Sequence, residues 1–168
     1  MFLARSVTAA KWKKRRVGRQ TRVPADGLTS DFRVQDDCLS FWACETNEVA
    51  SLEQVVLALA AARDRIDWLD LVWIDQATIT TARAKVVESL GETPAISVRE
   101  HHRDVTGLGL SGVAKLANGV AKAVNGTQTK RWTRAEVQKI LVDAARNRGL
   151  DVNQLKEDIR TKLQVPPA

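Results

Sequence analysis

The sequence predicts an α+β fold, or a small α/β one: a small mixed sheet with two packed helices, then a helical C-terminal extension of about three helices. Three observations carry this. Residues 31–106 switch between two-residue and helical apolar spacing; residues 107–168 keep only the helical period; residues 1–30 are dominated by charge of one sign.

The chain begins with Met1 to Trp12, whose pattern fits a short strand or a short helix. Lys11-Trp12-Lys13-Lys14-Arg15-Arg16, followed by Arg19 and Arg22, packs like charges close together. Their repulsion favours an extended, solvated N-terminal arm. Pro24, Asp26 and Gly27 punctuate its end. Asp31 to Glu45 reads as a β-hairpin. Phe32 and Val34 alternate with polar neighbours, Asp36-Asp37 supplies the turn, and Cys38 to Glu45 alternates again. The second strand has apolar groups on both faces, so it is expected inside its sheet.

Ser51-Leu52-Glu53-Gln54 has the capping-box pattern and opens a helix to about Arg65, with Leu52, Val55, Val56 and Leu59 as its buried stripe. Leu69 to Ile74 is a short apolar run rich in strand formers. Thr78 to Leu90 is expected as a second helix stopped by Gly91, and Ala95 to Arg99 as a further strand. One helix between two strands suggests a right-handed parallel crossover. Beyond Thr106, Leu110 to Val124 has helical spacing and ends at Asn125-Gly126. Thr133 with Glu136 forms a second capping box; Val137, Ile140, Leu141 and Ala144 follow, and Gly149 stops that helix. Asp151 or Asn153 opens a last helix bearing Leu155, Ile159 and Leu163.

The net charge of +6 is divided. Residues 1–30 carry +7, residues 31–106 carry −7 and residues 107–168 carry +6. The segments are read as a basic N-terminal arm (1–30), an acidic α/β core (31–106) and a basic helical C-terminal region (107–168). Such flanks suit a polyanion, an acidic protein or the chain's own acidic middle. The two cysteines, Cys38 and Cys44, would stand roughly 20 Å apart on one strand. Unpaired thiols fit a reducing, cytoplasmic compartment. Residues 1–25, with eight basic side chains and no acid, also have the composition of an organelle transit peptide, which is the minor alternative. No apolar run approaches the roughly 20 residues of a membrane span, so no membrane is expected as a partner.

Two clusters interleave cations with tryptophan: Lys11, Trp12, Lys13, Lys14, Arg15 and Arg16, and Lys130, Arg131, Trp132 and Arg134. Cations neutralise phosphates, and an aromatic face can stack on an unpaired base. The plainer alternative is a solvated basic segment with each tryptophan anchored in the core. The paired C-terminal helices offer Asn153, Gln154, Lys156, Arg160 and Lys162 to a groove, or else form a packing hairpin. Asp70 and Asp75 bracket a strand, where carboxylates can hold a divalent metal; an acid after a strand is also an ordinary helix cap. His101-His102-Arg103-Asp104 would supply the acid–base groups of an enzyme, with Asp75 beside them, and has the alternative of a solvated loop. Gly107, Gly109 and Gly112 match the spacing of a dinucleotide fingerprint. The polar stretch before them and the lack of a strand after the helix argue against it.

These residues favour a non-enzymatic, nucleic-acid-associated protein or subunit, with no cofactor or metal. A protein-interaction module, acting as an accessory, regulatory or inhibitory subunit of a larger protein complex, is the alternative. A metal-dependent, nuclease-like enzyme comes third.

Overall fold

The computed structural model describes residues 1–13, 16–17, 20–21 and 23–163, the two short pairs as backbone only. The fold is α+β. Its centre is one six-stranded sheet of β1 (Phe2–Val7), β4 (Cys38–Cys44), β5 (Leu69–Asp75), β6 (Lys85–Glu88), β7 (His102–Thr106) and β8 (Thr129–Trp132). The strand order is β6-β7-β4-β1-β5-β8, and every neighbouring pair is antiparallel. A separate hairpin joins β2 (Arg16–Val17) to β3 (Gln20–Thr21).

Helices cover both faces. On one lie α3 (Val49–Ala61), α6 (Arg134–Arg146) and α7 (Glu157–Leu163), packed on Ala4, Trp42, Leu69, Leu71 and Trp132. On the other lie α1 (Ala9–Trp12), α2 (Ala25–Asp31), α4 (Gln76–Ala82) and α5 (Leu110–Asn125), packed on Leu3, Val7, Phe41, Val72 and Ile74. β5 explains why both layers form. Its residues Leu69 to Ile74 are all buried, because alternate side chains feed the two cores.

The strand at Cys38–Cys44 and the strand at Leu69 stand as predicted, and so do α5, α6 and the Thr133 capping box, where Glu136 Oε2 accepts from the Thr133 backbone N–H at 2.6 Å. Other expectations are corrected. The sheet is antiparallel throughout the described residues, not mixed, and no parallel crossover follows β5. Asp36 and Asp37 do turn the chain, with φ of 51° and 56°, but Gln35 and Cys38 make only an isolated bridge. Phe32 has left the predicted hairpin to pack on Trp12, ring centroids 5.1 Å apart.

The predicted helix from Thr78 to Leu90 stops at Ala82. Arg83 takes a left-handed conformation there, and the β-branched pair in Lys-Val-Val-Glu continues as edge strand β6. Most of the strand expected over Ala95 to Arg99 is instead a 3-10 helix, Ile96–His101, and the strand begins at His102. α3 starts at Val49 behind Glu48, so Ser51 lies inside the helix and does not cap it.

The N-terminal thirty residues are not all arm. β1 lies inside the sheet, pairing Leu3 with Ala43 on one side and Ile74 on the other. β8, from the C-terminal segment, pairs with β5. The sheet therefore takes strands from all three charge segments.

Candidate nucleic-acid interface

Asp70 organises one corner of the sheet. It lies in β5, where burial leaves its carboxylate in need of donors. Arg131, opposite it on β8, supplies two: Nε to Oδ1 at 2.6 Å and Nη2 to Oδ2 at 2.8 Å. The backbone N–H of Ala9, at the start of α1, donates to Oδ2 at 3.2 Å. The Asp70 bonds raise the Arg131 guanidinium above its ordinary range, so it stays charged. One buried carboxylate thus holds β8, which bears Lys130 and Arg131, against the segment that leads into Lys11 and Lys13.

Lys11 and Lys13, which follow Ala9, and Arg131 are exposed; Arg134 is exposed at the start of α6, in the helix layer on the other face of the sheet. Arg63 joins them, its Nη2 donating to Ser6 Oγ and its Nη1 to the Trp68 carbonyl, each at 3.0 Å. Arg65 lies nearby, 3.6 Å from Asp67. Lys14, Arg15, Arg19 and Arg22 lie outside the described residues, and Arg16 stands in β2. The backbone that leads into the first cation cluster is therefore tied, through Asp70, to Arg131 of the second, more than a hundred residues away.

Their tryptophans do not serve as predicted. Trp12 is fully buried; its indole Nε1 donates to Asp31 Oδ2 at 2.6 Å. Its ring lies so close to Gly27 that a Cβ there would stand 2.8 Å from it. Trp132 is equally buried, in the core under α3 and α6, with Lys130 Nζ 4.6 Å from the ring centroid. Neither ring presents a face to a base. The exposed ring at this corner is Trp68, at 43 % exposure, with the Arg131 guanidinium 4.2 Å from its centroid. Sequence reasoning missed it. The available signal was its position one residue outside the buried run, directly after the charged Asp67.

The residues considered for an enzyme do not converge as a set. Asp75 caps α4, its Oδ1 accepting from the Thr78 N–H at 2.9 Å and the Thr78 hydroxyl at 2.8 Å. Those bonds hold its carboxyl below the usual range. It stands at the opposite end of β5 from Asp70, so the two do not share a metal. His101 is exposed at the end of the 3-10 helix.

His102 and Asp104 do share a face of β7, with Trp42 and Ser40 opposite them on β4. His102 Nδ1 is 2.7 Å from Ser89 Oγ, and the ring meets Trp42 edge-on. Burial lowers the His102 pKa, against the pull of Asp104. Burial works to raise the Asp104 carboxyl, but bonds from Ser89 and Cys38 outweigh it and leave it low. Burial, and then the Asp104 contact, push the Cys38 thiol up, away from the reactive thiolate. This is a hydrogen-bonded polar patch on a sheet face. Among the described residues no three His, Cys, Asp or Glu side chains are placed to hold a metal ion.

Two further expectations meet the geometry here. The glycine run does follow a strand, β7, and a strand, β8, does follow α5; both were unexpected because their sequences are polar or charged. β4, β1 and β5 nevertheless separate β7 from β8, so they do not form adjacent strands about a dinucleotide crevice. At the C-terminus, the last helix is broken. A 3-10 turn (Val152–Gln154) precedes the seven-residue α7, which buries Ile159 and Leu163. Gln154 accepts from Arg99 Nη2 at 2.8 Å, and Gln138 Nε2 donates to the Lys162 carbonyl at 3.2 Å. The pair packs onto the body as a hairpin.

No protein-family model, curated protein or solved structure matches the chain. No helix among the described residues is long and apolar enough to cross a membrane.

Proposed function

We propose that the chain is a non-enzymatic, nucleic-acid-associated protein or subunit that grips phosphate backbone. The grip uses Lys11, Lys13 and the rest of the basic N-terminal segment together with the Lys130–Arg134 region. The observation that carries this reading is the shared carboxylate of Asp70. By bonding both the Ala9 backbone and Arg131, it ties the segment leading into the first cation cluster to an arginine of the second, which the sequence keeps apart. A surface of converging cations binds phosphates by releasing condensed counterions, whatever the base sequence.

The test is a salt titration of binding to DNA and RNA oligonucleotides. Log affinity should fall linearly with log salt, and the double substitution Lys11→Ala/Lys13→Ala should reduce the slope by roughly one per lysine lost. Weak, salt-insensitive binding to both nucleic acids would sink the reading.

A second reading is an accessory subunit of a larger assembly. Edge strand β6 favours it, because Val87 and the neighbouring Leu90 are exposed beside an unpaired strand edge. A stoichiometric protein partner that survives nuclease and high salt, and is lost on Val87→Asp, would decide for it.

A further inference from the structure

The chain has five tryptophans. Trp12, Trp42, Trp73 and Trp132 are all buried, and only Trp68 is exposed. Single exposed apolar side chains are ordinary, but this one is held at several points. Its backbone N–H donates to Asp67 Oδ1 at 2.8 Å, and its carbonyl accepts from Arg63. Its ring lies against the Arg131 guanidinium, which is itself fixed by two bonds to a buried carboxylate. The result is an aromatic surface whose conformational freedom has already been lost on folding, so a ligand that stacks on it gives up little further entropy.

The surroundings define that ligand. A flat apolar face is wanted against the indole, and negative charge is wanted beside it, where the Arg131 guanidinium lies on the ring and Asp70 ties Arg131 to the segment leading into Lys11 and Lys13. An uncharged apolar side chain meets the first requirement without the second. Duplex nucleic acid meets the second, but its base faces are stacked on one another. An unpaired nucleotide meets both, because its base has a free π face and its phosphates flank it. We infer that Trp68 is a stacking platform for an unpaired base, so that the partner is single-stranded RNA or DNA and not duplex. This rests on the phosphate-gripping reading above and narrows it.

Because the other four indoles are buried, tryptophan fluorescence reports stacking at Trp68. The experiment titrates the full chain with oligo(U), oligo(dT) and a duplex of equal length. It follows intrinsic fluorescence, and anisotropy of an end-labelled strand. Both single strands should quench the emission and the duplex should not. If only oligo(U) or only oligo(dT) quenches, that strand is the partner class.

Trp68→Ala should lower the ratio of single-strand to duplex affinity by about 5- to 150-fold, the range of one lost base stack. Trp68→Phe, which keeps a ring, should retain most of that ratio while losing the quench. Equal, salt-dependent affinity for single strand and duplex, with the ratio unmoved by Trp68→Ala, would overturn the stacking inference and leave phosphate binding standing. Absence of salt-dependent binding to any of the three overturns both.

Discussion

His102 is a half-buried base in a patch of hydroxyls, and burial lowers its pKa from the usual 6.5. The folded state therefore takes up a proton less readily than the unfolded chain. Stability is full above about pH 6.5 and falls as pH drops through that value, because the unfolded state gains the proton first. Urea melts between pH 7.5 and 5.5 should show this loss, and His102→Asn should flatten it. An unchanged slope would mean the imidazole is solvated. Much at this level was hidden in the sequence. A tryptophan among lysines and arginines looks the same whether its ring points out or in. Trp12 turns inward because Asp31 receives its indole N–H and Gly27 leaves room for it. Trp132 turns inward because it pairs with Leu69 across β5 and β8. Trp68 adjoins the apolar run Leu69–Ile74, so its position alone does not mark its ring as exposed.

Helices α4 and α5 pack through Gly119. A Cβ there would lie 2.2 Å from Thr78 Cγ2. Thr78 cannot simply rotate away, since its hydroxyl bonds Asp75 at the head of α4. Gly119→Ala gains about 1 kcal/mol of helix propensity but forces an overpacked contact worth about 1–3 kcal/mol. It should lower the melting temperature. Thr78→Ser keeps the hydroxyl and removes the methyl, so in that background the same Gly119→Ala change should raise it. Thermal melts by circular dichroism of the four proteins test the reversal of sign; two changes of the same sign would locate the constraint elsewhere. Periodicity made α5 and α6 and the strands at Leu39 and Leu69 legible, because these elements bury a clear stripe or two full faces. β6, β7 and β8 were not. They are four or five residues long, lie at or next to the sheet edges, and carry mostly polar side chains. Hydrogen bonding to a neighbour makes them strands, and a single sequence does not display the neighbour.

The division of charge into +7, −7 and +6 was visible at once, but it does not divide the fold. β1 comes from the first segment and sits between two strands of the second. Deleting residues 1–8 should therefore abolish the cooperative thermal transition, since β4 and β5 each lose a paired neighbour and both cores lose Leu3, Ala4 and Val7. A truncated chain that melts cooperatively near the parent's temperature would show the sheet to be complete without β1. The link from α1 to Arg131 through Asp70 was equally out of reach of charge counting. It depends on Asp70 lying opposite Arg131 in β5 and β8, a register that composition does not encode.

The central place of β1 also fixes a sequence of events during synthesis. β1 is made before either of its partners, which end at Cys44 and Asp75. At roughly 5–20 residues per second, several seconds pass before β5 exists to pair with it. During that interval Phe2, Leu3, Ala4 and Val7 have no sheet to enter, and the cations that follow them stand where charged gatekeepers flank an aggregation-prone strand. The same residues proposed to hold a nucleic acid in the finished protein would then have an earlier task, keeping an unpaired strand dispersed until its neighbours arrive.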